Sequence, residues 1–122
     1  MRTLATTLCI TTLALTLAAT AGAHHRASAP ANVREPICQV FGRYCDQALS
    51  VVNCETGGTY SVWAGYGKHQ YLGLFQMGSW ERRTYGHGTT PYTQARAAYR
   101  YFVASGRDWS PWQCRPNGRL AW

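Results

Sequence analysis

Acidic side chains are scarce in this chain: five Asp and Glu stand against twelve Lys and Arg in 122 residues, and all but one of the twelve, Lys68, are Arg. Few carboxylates leave few candidates for acid–base chemistry, and a formal charge of +7 selects a polyanion as partner. Other features are missing altogether. The glycines at 65, 67 and 73 do not lie between a strand and a helix start, which excludes a nucleotide phosphate loop. The cysteines lack the tight paired spacings of a zinc site, and the adjacent His24 and His25 have no Cys or acidic neighbours, so no metal and no other cofactor is expected. No Ser has a recognisable His partner, which argues against a nucleophilic triad. No internal repeat is present.

Only one long uncharged run exists, at residues 4–20, rich in Leu, Ala and Thr and preceded by Arg2. Ala21-Gly22-Ala23 follows it with the small-x-small pattern of a cleavage site. The expected organisation is a signal peptide over 1–23, a flexible leader over 24–36 containing two Pro, and one domain over 37–122. Export leaves the protein extracellular or in the cell wall, with no stable membrane anchor, because the apolar stretch is marginal for spanning. Removing Arg2 lowers the formal charge from +7 to +6. Outside a cell, anionic wall polymer, peptidoglycan or a membrane surface fits that charge better than nucleic acid.

Cys9 belongs to the discarded run, so Cys38, Cys45, Cys54 and Cys114 remain. An even count in a short exported chain reads as two disulfides, for which three pairings exist. The favoured one joins Cys38 to Cys45 in a local loop and Cys54 to Cys114 across most of the domain. By chain entropy the long closure is worth roughly 4 kcal/mol and the short one roughly 2.5.

The spacing of Ala48, Leu49, Val51 and Val52 predicts a helix over 44–53 that Gly57-Gly58 stops, placing Glu55 in its last turn. There the negative end of the helix dipole favours the neutral acid. Residues 59–78 read as a glycine-rich insert of loop and short strand. Ser79 is the expected cap of a short helix to Tyr85. The clearest helix starts at Thr90-Pro91, carries Ala95, Ala98, Tyr99, Phe102 and Val103 on one stripe, and closes at Gly106. The fold class is mainly α, a small single domain with one insert.

"CETGG" at 54–58, "GLFQM" at 73–77, Trp80 close behind and "DWSPWQC" at 108–114 together resemble the resuscitation-promoting-factor-like and lytic-transglycosylase branch of the lysozyme superfamily. The resemblance covers roughly residues 42–114. It implies a lysozyme-like (α+β) fold and cleavage of the N-acetylmuramic acid to N-acetylglucosamine linkage of peptidoglycan, with Glu55 as the general acid and base. It also implies that the Trp-rich segment closes its disulfide back to the motif. One departure is local: only Met77-Gly78-Ser79 separates Gln76 from Trp80, where relatives have a longer link. That departure keeps open a cationic wall-binding or antimicrobial module without turnover.

Glu55 suits the acid role on chemical grounds, since a glycosidic oxygen leaves poorly unless protonated as the bond breaks. By motif position Gln76 lines the groove or orients Glu55. Tyr60, Trp63, Tyr66 and Tyr71 interleave with Gly and polar residues, and sugar-stacking rings are expected among them, with Tyr60, Trp63 and Tyr71 the substrate-binding choices. Tyr99 has a position suggestive of a tyrosine supporting the acid, although it lies in the apolar stripe. No acid occurs in residues 56–80, which favours a one-carboxylate mechanism assisted by the substrate's N-acetyl group; Glu81 and Asp108 are distant in sequence and approach only if the fold brings them. Hydrolysis and anhydro-forming transglycosylation both remain open. The expected state is a monomer.

Overall fold

The computed structural model describes residues 28–117; the expected signal segment, His24, His25 and the chain end from 118 lie outside them. The chain is mainly helical. Helix α1 spans Ala31–Phe41, a 3-10 turn Gly42–Tyr44 follows, and α2 spans Cys45–Glu55. After the insert come α3, Ser79–Tyr85, and α4, Pro91–Ala104. Helix α1 packs on both α2 and α4, and α3 packs on α4.

The first correction concerns the leader. Residues 31–36 are the first half of α1, because Val33, Ile37 and Phe41 recur every four residues and all three are buried. Pro30 and Pro36 made the stretch look like loop. Pro30 stands at the cap position and constrains nothing inside the helix. Pro36 does remove an N–H from the helix interior, a cost of about 3 kcal/mol that burial of the apolar stripe offsets at about 1.5–3 kcal/mol per large side chain.

Helix α2 buries Ala48, Val51 and Val52 and stops where expected. Gly57 takes the left-handed conformation at φ +60°, its N–H donates to the Cys54 carbonyl at 3.2 Å, and the Gly58 N–H donates to the Asn53 carbonyl at 2.7 Å. This paired closure satisfies the last carbonyls of the helix and turns the chain away at Glu55. Helix α4 also begins as read: Thr90 Oγ1 accepts from the Thr93 N–H and Thr93 Oγ1 accepts from the Thr90 N–H, with Pro91 behind them. For α3 the cap is Gly78 rather than Ser79, which is already the first helical residue, and no side chain caps this end. The insert contains an isolated antiparallel bridge, Leu72 to Met77, where short strands were expected.

The core centres on Phe41, whose ring stacks on Phe75 at 5.4 Å and on Trp109 at 5.6 Å and meets the edge of Tyr99 at 5.2 Å. Phe102 lies against Trp109 at 4.6 Å. Both disulfides have the favoured pairing. Cys38–Cys45 joins α1 to the start of α2, and Cys54–Cys114 joins the end of α2 to the C-terminal segment across 60 positions.

A buried amide ties the insert to this frame. Gln94, fully buried on α4, accepts from the Leu74 N–H at 2.8 Å and donates to the carbonyls of Val62 at 3.0 Å and Gly88 at 2.9 Å. One side chain thus satisfies three backbone groups from separate loop segments that have no sheet to pair with.

Candidate active site

A cleft of about 280 Å³ opens where α2 ends. Glu55 enters it from α2, Tyr71, Gln76, Met77 and Gly78 from the insert, Glu81 from α3, Tyr101 from α4, and Trp112 with its neighbours from the C-terminal segment. These residues span almost sixty positions of sequence. The Cys54–Cys114 bridge brings the two ends of that span together.

Glu55 is half-buried, and one of its oxygens accepts the Cys114 N–H at 3.1 Å. Its donor is therefore supplied by the residue bonded to the neighbouring Cys54. Burial pushes the Glu55 carboxyl above its ordinary value of 4.5, while N–H groups of Cys114 and Gln113 pull in the opposite direction and leave a net upward shift. Desolvation dominates because the aromatic and disulfide surroundings exclude water from an ion that only backbone dipoles would compensate. The helix adds to this by ending in carbonyls at the same place. The outcome is a carboxylic acid oriented by one oxygen and disposed to hold its proton.

Gln76 reaches the cleft, but its amide is committed on one side. Both Nε2 hydrogens go to backbone carbonyls, of Gly73 at 2.9 Å and Ala64 at 3.2 Å. These bonds hold the loop closed by the Leu72–Met77 bridge, and they accompany a positive φ of 44° at Gln76, a conformation costly for a residue with a side chain. The acceptor oxygen stays outside these two bonds, on the side of Gly65. Gln76 thus combines the two roles weighed from sequence, loop closure and groove lining, and it does not orient Glu55 by donation.

The aromatic expectations divide. Tyr71 lines the cleft and is about half exposed, as a stacking ring requires. Tyr60 belongs to the core, at 8 % exposure, and is corrected from a substrate platform to a packing residue; its positive φ of 51° and the bond from its N–H to Thr56 Oγ1 turn it inward behind the helix end. Trp63 is well exposed and packs edge-on against Tyr66 at 5.1 Å, outside the cleft lining. Tyr99 packs against Phe41, while Tyr101, two residues later and on the neighbouring face, lines the cleft. Tyr101 stacks on Tyr85 at 5.1 Å and lies 5.1 Å from Trp112, whose indole N–H is fixed by the Phe75 carbonyl at 3.0 Å.

Of the remaining acids, Asp46 and Asp108 are exposed, and Asp108 Oδ1 accepts from the Ser110 N–H in a local turn. Of the two acids that sequence left to the fold, Glu81 and Asp108, it is Glu81 that lines the same cleft as Glu55. Among the described residues no three His, Cys, Asp or Glu side chains gather as a metal site, and no helix is long and apolar enough to cross a membrane.

A second pocket of about 320 Å³ lies on α1 and α4, lined by Arg96, Arg100, Tyr92, Tyr99, Gln39 and Val40. The Arg96 guanidinium sits over the Tyr92 ring at 5.8 Å. This lining is cationic and carries no acid.

Comparison with known proteins finds no matching family model, no matching curated protein and no matching solved structure.

Proposed function

We propose that this chain is an exported peptidoglycan-cleaving glycosidase of lysozyme-like fold, a muramidase or lytic transglycosylase, with Glu55 as its general acid. The observation that carries the reading is Glu55 itself. It is half-buried at a helix end, held by one oxygen, shifted toward the neutral acid, and open to a cleft that also holds Gln76 and Tyr71 of the glycine-rich insert. Such a group keeps its proton to higher pH than an ordinary Glu and can give it to a glycosidic oxygen. The order of motifs from Cys54 to Cys114 supports the choice of a glycan with this linkage, and two disulfides are consistent with an oxidising compartment.

In this reading the sugar bearing the scissile bond lies over Glu55, the Gln76 oxygen accepts from a hydroxyl or amide of the glycan, and Tyr71 presents a flat face to a neighbouring ring. Mass spectrometry of muropeptides released from purified sacculi tests it directly. Cleaved disaccharide products are expected, and intact sacculi after prolonged incubation would overturn it.

A second reading has its own observation. The cationic pocket of Arg96 and Arg100 fits a wall-binding module that acts without turnover. It requires binding to sacculi that survives loss of the Glu55 carboxyl and releases no product at all.

A further inference from the structure

The fold brings a second carboxylate to the cleft. Residues 56–80 contain no acid, and sequence order alone therefore favours a one-carboxylate mechanism. In space, Glu81 comes from the first turn of α3 into the cleft that Glu55 enters from the last turn of α2. Of the five acids in the chain, these two line it.

We propose that Glu81 is the catalytic base of this site, taking a proton from the water that replaces the leaving sugar, so that the enzyme hydrolyses its glycan rather than forming an anhydro product. This rests on the glycosidase reading above and names its nucleophile. Three observations support it.

The Glu81 carboxylate is folded back over Gly78, close enough that a Cβ on Gly78 would stand 2.4 Å from Glu81 Oε2. Gly78 is buried, lines the cleft and has an ordinary φ of −69°, so its lack of a side chain serves space rather than backbone shape. The Tyr71 ring borders the same spot, 3.4 Å from that Cβ position. In this proposal a water lies between that carboxylate and the sugar carbon. Finally, the charge of Glu81 is felt at another wall of the cleft: the Tyr101 phenol is raised by burial first, and then by Glu81 and Tyr85.

The step balances. Glu55 gives its proton to the glycosidic oxygen as the bond from the anomeric carbon to that oxygen breaks. Water oxygen bonds to the anomeric carbon, and its proton passes to Glu81. One water is consumed and two hydroxyl-bearing sugars leave. Solvent then returns a proton to Glu55 and removes one from Glu81.

The test is cleavage of purified sacculi in water enriched in oxygen-18, followed by mass spectrometry, for the parent, Glu81→Gln, Glu81→Ala with and without azide, and Gly78→Ala. The proposal expects labelled reducing-end products from the parent and a loss of about 10²-fold or more in Glu81→Gln, the usual worth of a general base. Azide, a nucleophile that needs no base, is expected to restore cleavage by Glu81→Ala as a glycosyl azide, an outcome that a merely structural Glu81 does not give. Gly78→Ala leaves the carboxylate intact but moves it, and is expected to slow cleavage while thermal unfolding stays unchanged. Unlabelled anhydro products from the parent would overturn the role of Glu81 and leave Glu55 standing. Full activity in Glu81→Gln would do the same. No product from the parent would overturn the glycosidase reading, and this proposal with it.

Discussion

Replacing Gln94 by Met removes the hydrogen bonds of the buried amide while keeping most of its volume, so the effect isolates polar satisfaction from cavity formation. Three backbone groups lose their partner: the Leu74 N–H and the carbonyls of Val62 and Gly88. A buried polar group left unsatisfied costs about 1–3 kcal/mol, and with partial relaxation the three together are expected to cost about 3–5 kcal/mol. That is a large part of a total stability of about 5–15 kcal/mol. In a domain of this size each kcal/mol moves the melting temperature by about 4–8 °C, so the variant is expected to melt at least about 12 °C below the parent with its disulfides intact. The urea midpoint should fall with little change in slope, since the unfolded chain is unaltered. Because Leu74 lies between Tyr71 and Gln76, site activity should fall with stability. A loss below about 1 kcal/mol would refute the reasoning, because it would mean that the insert finds its partners without α4.

Loss of the Cys54–Cys114 bridge is expected to cost about 2 kcal/mol more than loss of Cys38–Cys45, from separations of 60 and 7 positions, and chemical denaturation of the two paired Cys→Ala variants checks this. His87 is held neutral, its pKa lowered to about 4 by burial and by the Arg82 charge, with Nε2 buried and unpartnered. Its folded value lies below its unfolded value of 6.5, so its contribution to stability is complete above pH 6.5 and is lost as pH falls toward 4. After discounting for its partial exposure, His87→Gln should flatten the pH dependence of unfolding in that window by about 1–2 kcal/mol, and an unchanged slope would contradict it. If the Arg charge captures wall polymer, binding to sacculi should weaken as salt rises while cleavage of a short neutral glycan changes less, because the screening length falls from about 10 Å at 0.1 M to about 3 Å at 1 M. Equal salt sensitivity for both substrates would count against capture by charge.

Local signals were legible where one principle dominated. Thr90-Pro91 wrote the start of α4, Gly57-Gly58 wrote the end of α2 and so the setting of Glu55, and loop logic favoured the observed disulfides. Where two signals competed, the wrong one was read. Pro30 and Pro36 outweighed the four-residue spacing of Val33, Ile37 and Phe41, and Ser79 outweighed Gly78 as a cap. Alternating aromatics in the insert suggested strands, yet its glycines turn the chain too often for a ladder, and Gln94 supplies the bonds a ladder would have made. A polar residue beside Ala95 on the buried side of α4 was the available clue to that. The content of the cleft was least legible. Tyr101 and Tyr99 differ by two positions on one helix, which is enough to exchange faces, and only the packing of α1 on α4 decides which of them is core. Glu81 and Glu55 come to line one cleft through tertiary structure, which local pattern does not encode.

The central claim is that the Glu55 carboxyl delivers the proton, and Glu55→Gln tests it most directly on purified sacculi at near-neutral pH. The amide keeps the shape and still accepts the Cys114 N–H. Because burial raises the Glu55 carboxyl, ionising it costs stability as pH rises from its ordinary 4.5 through its folded value, so the variant should be at least as stable as the parent at pH 7. Release of muropeptides is expected to fall by about 10²-fold or more while binding to sacculi persists. Muropeptide release by the folded Gln variant at the parent's rate would contradict the account.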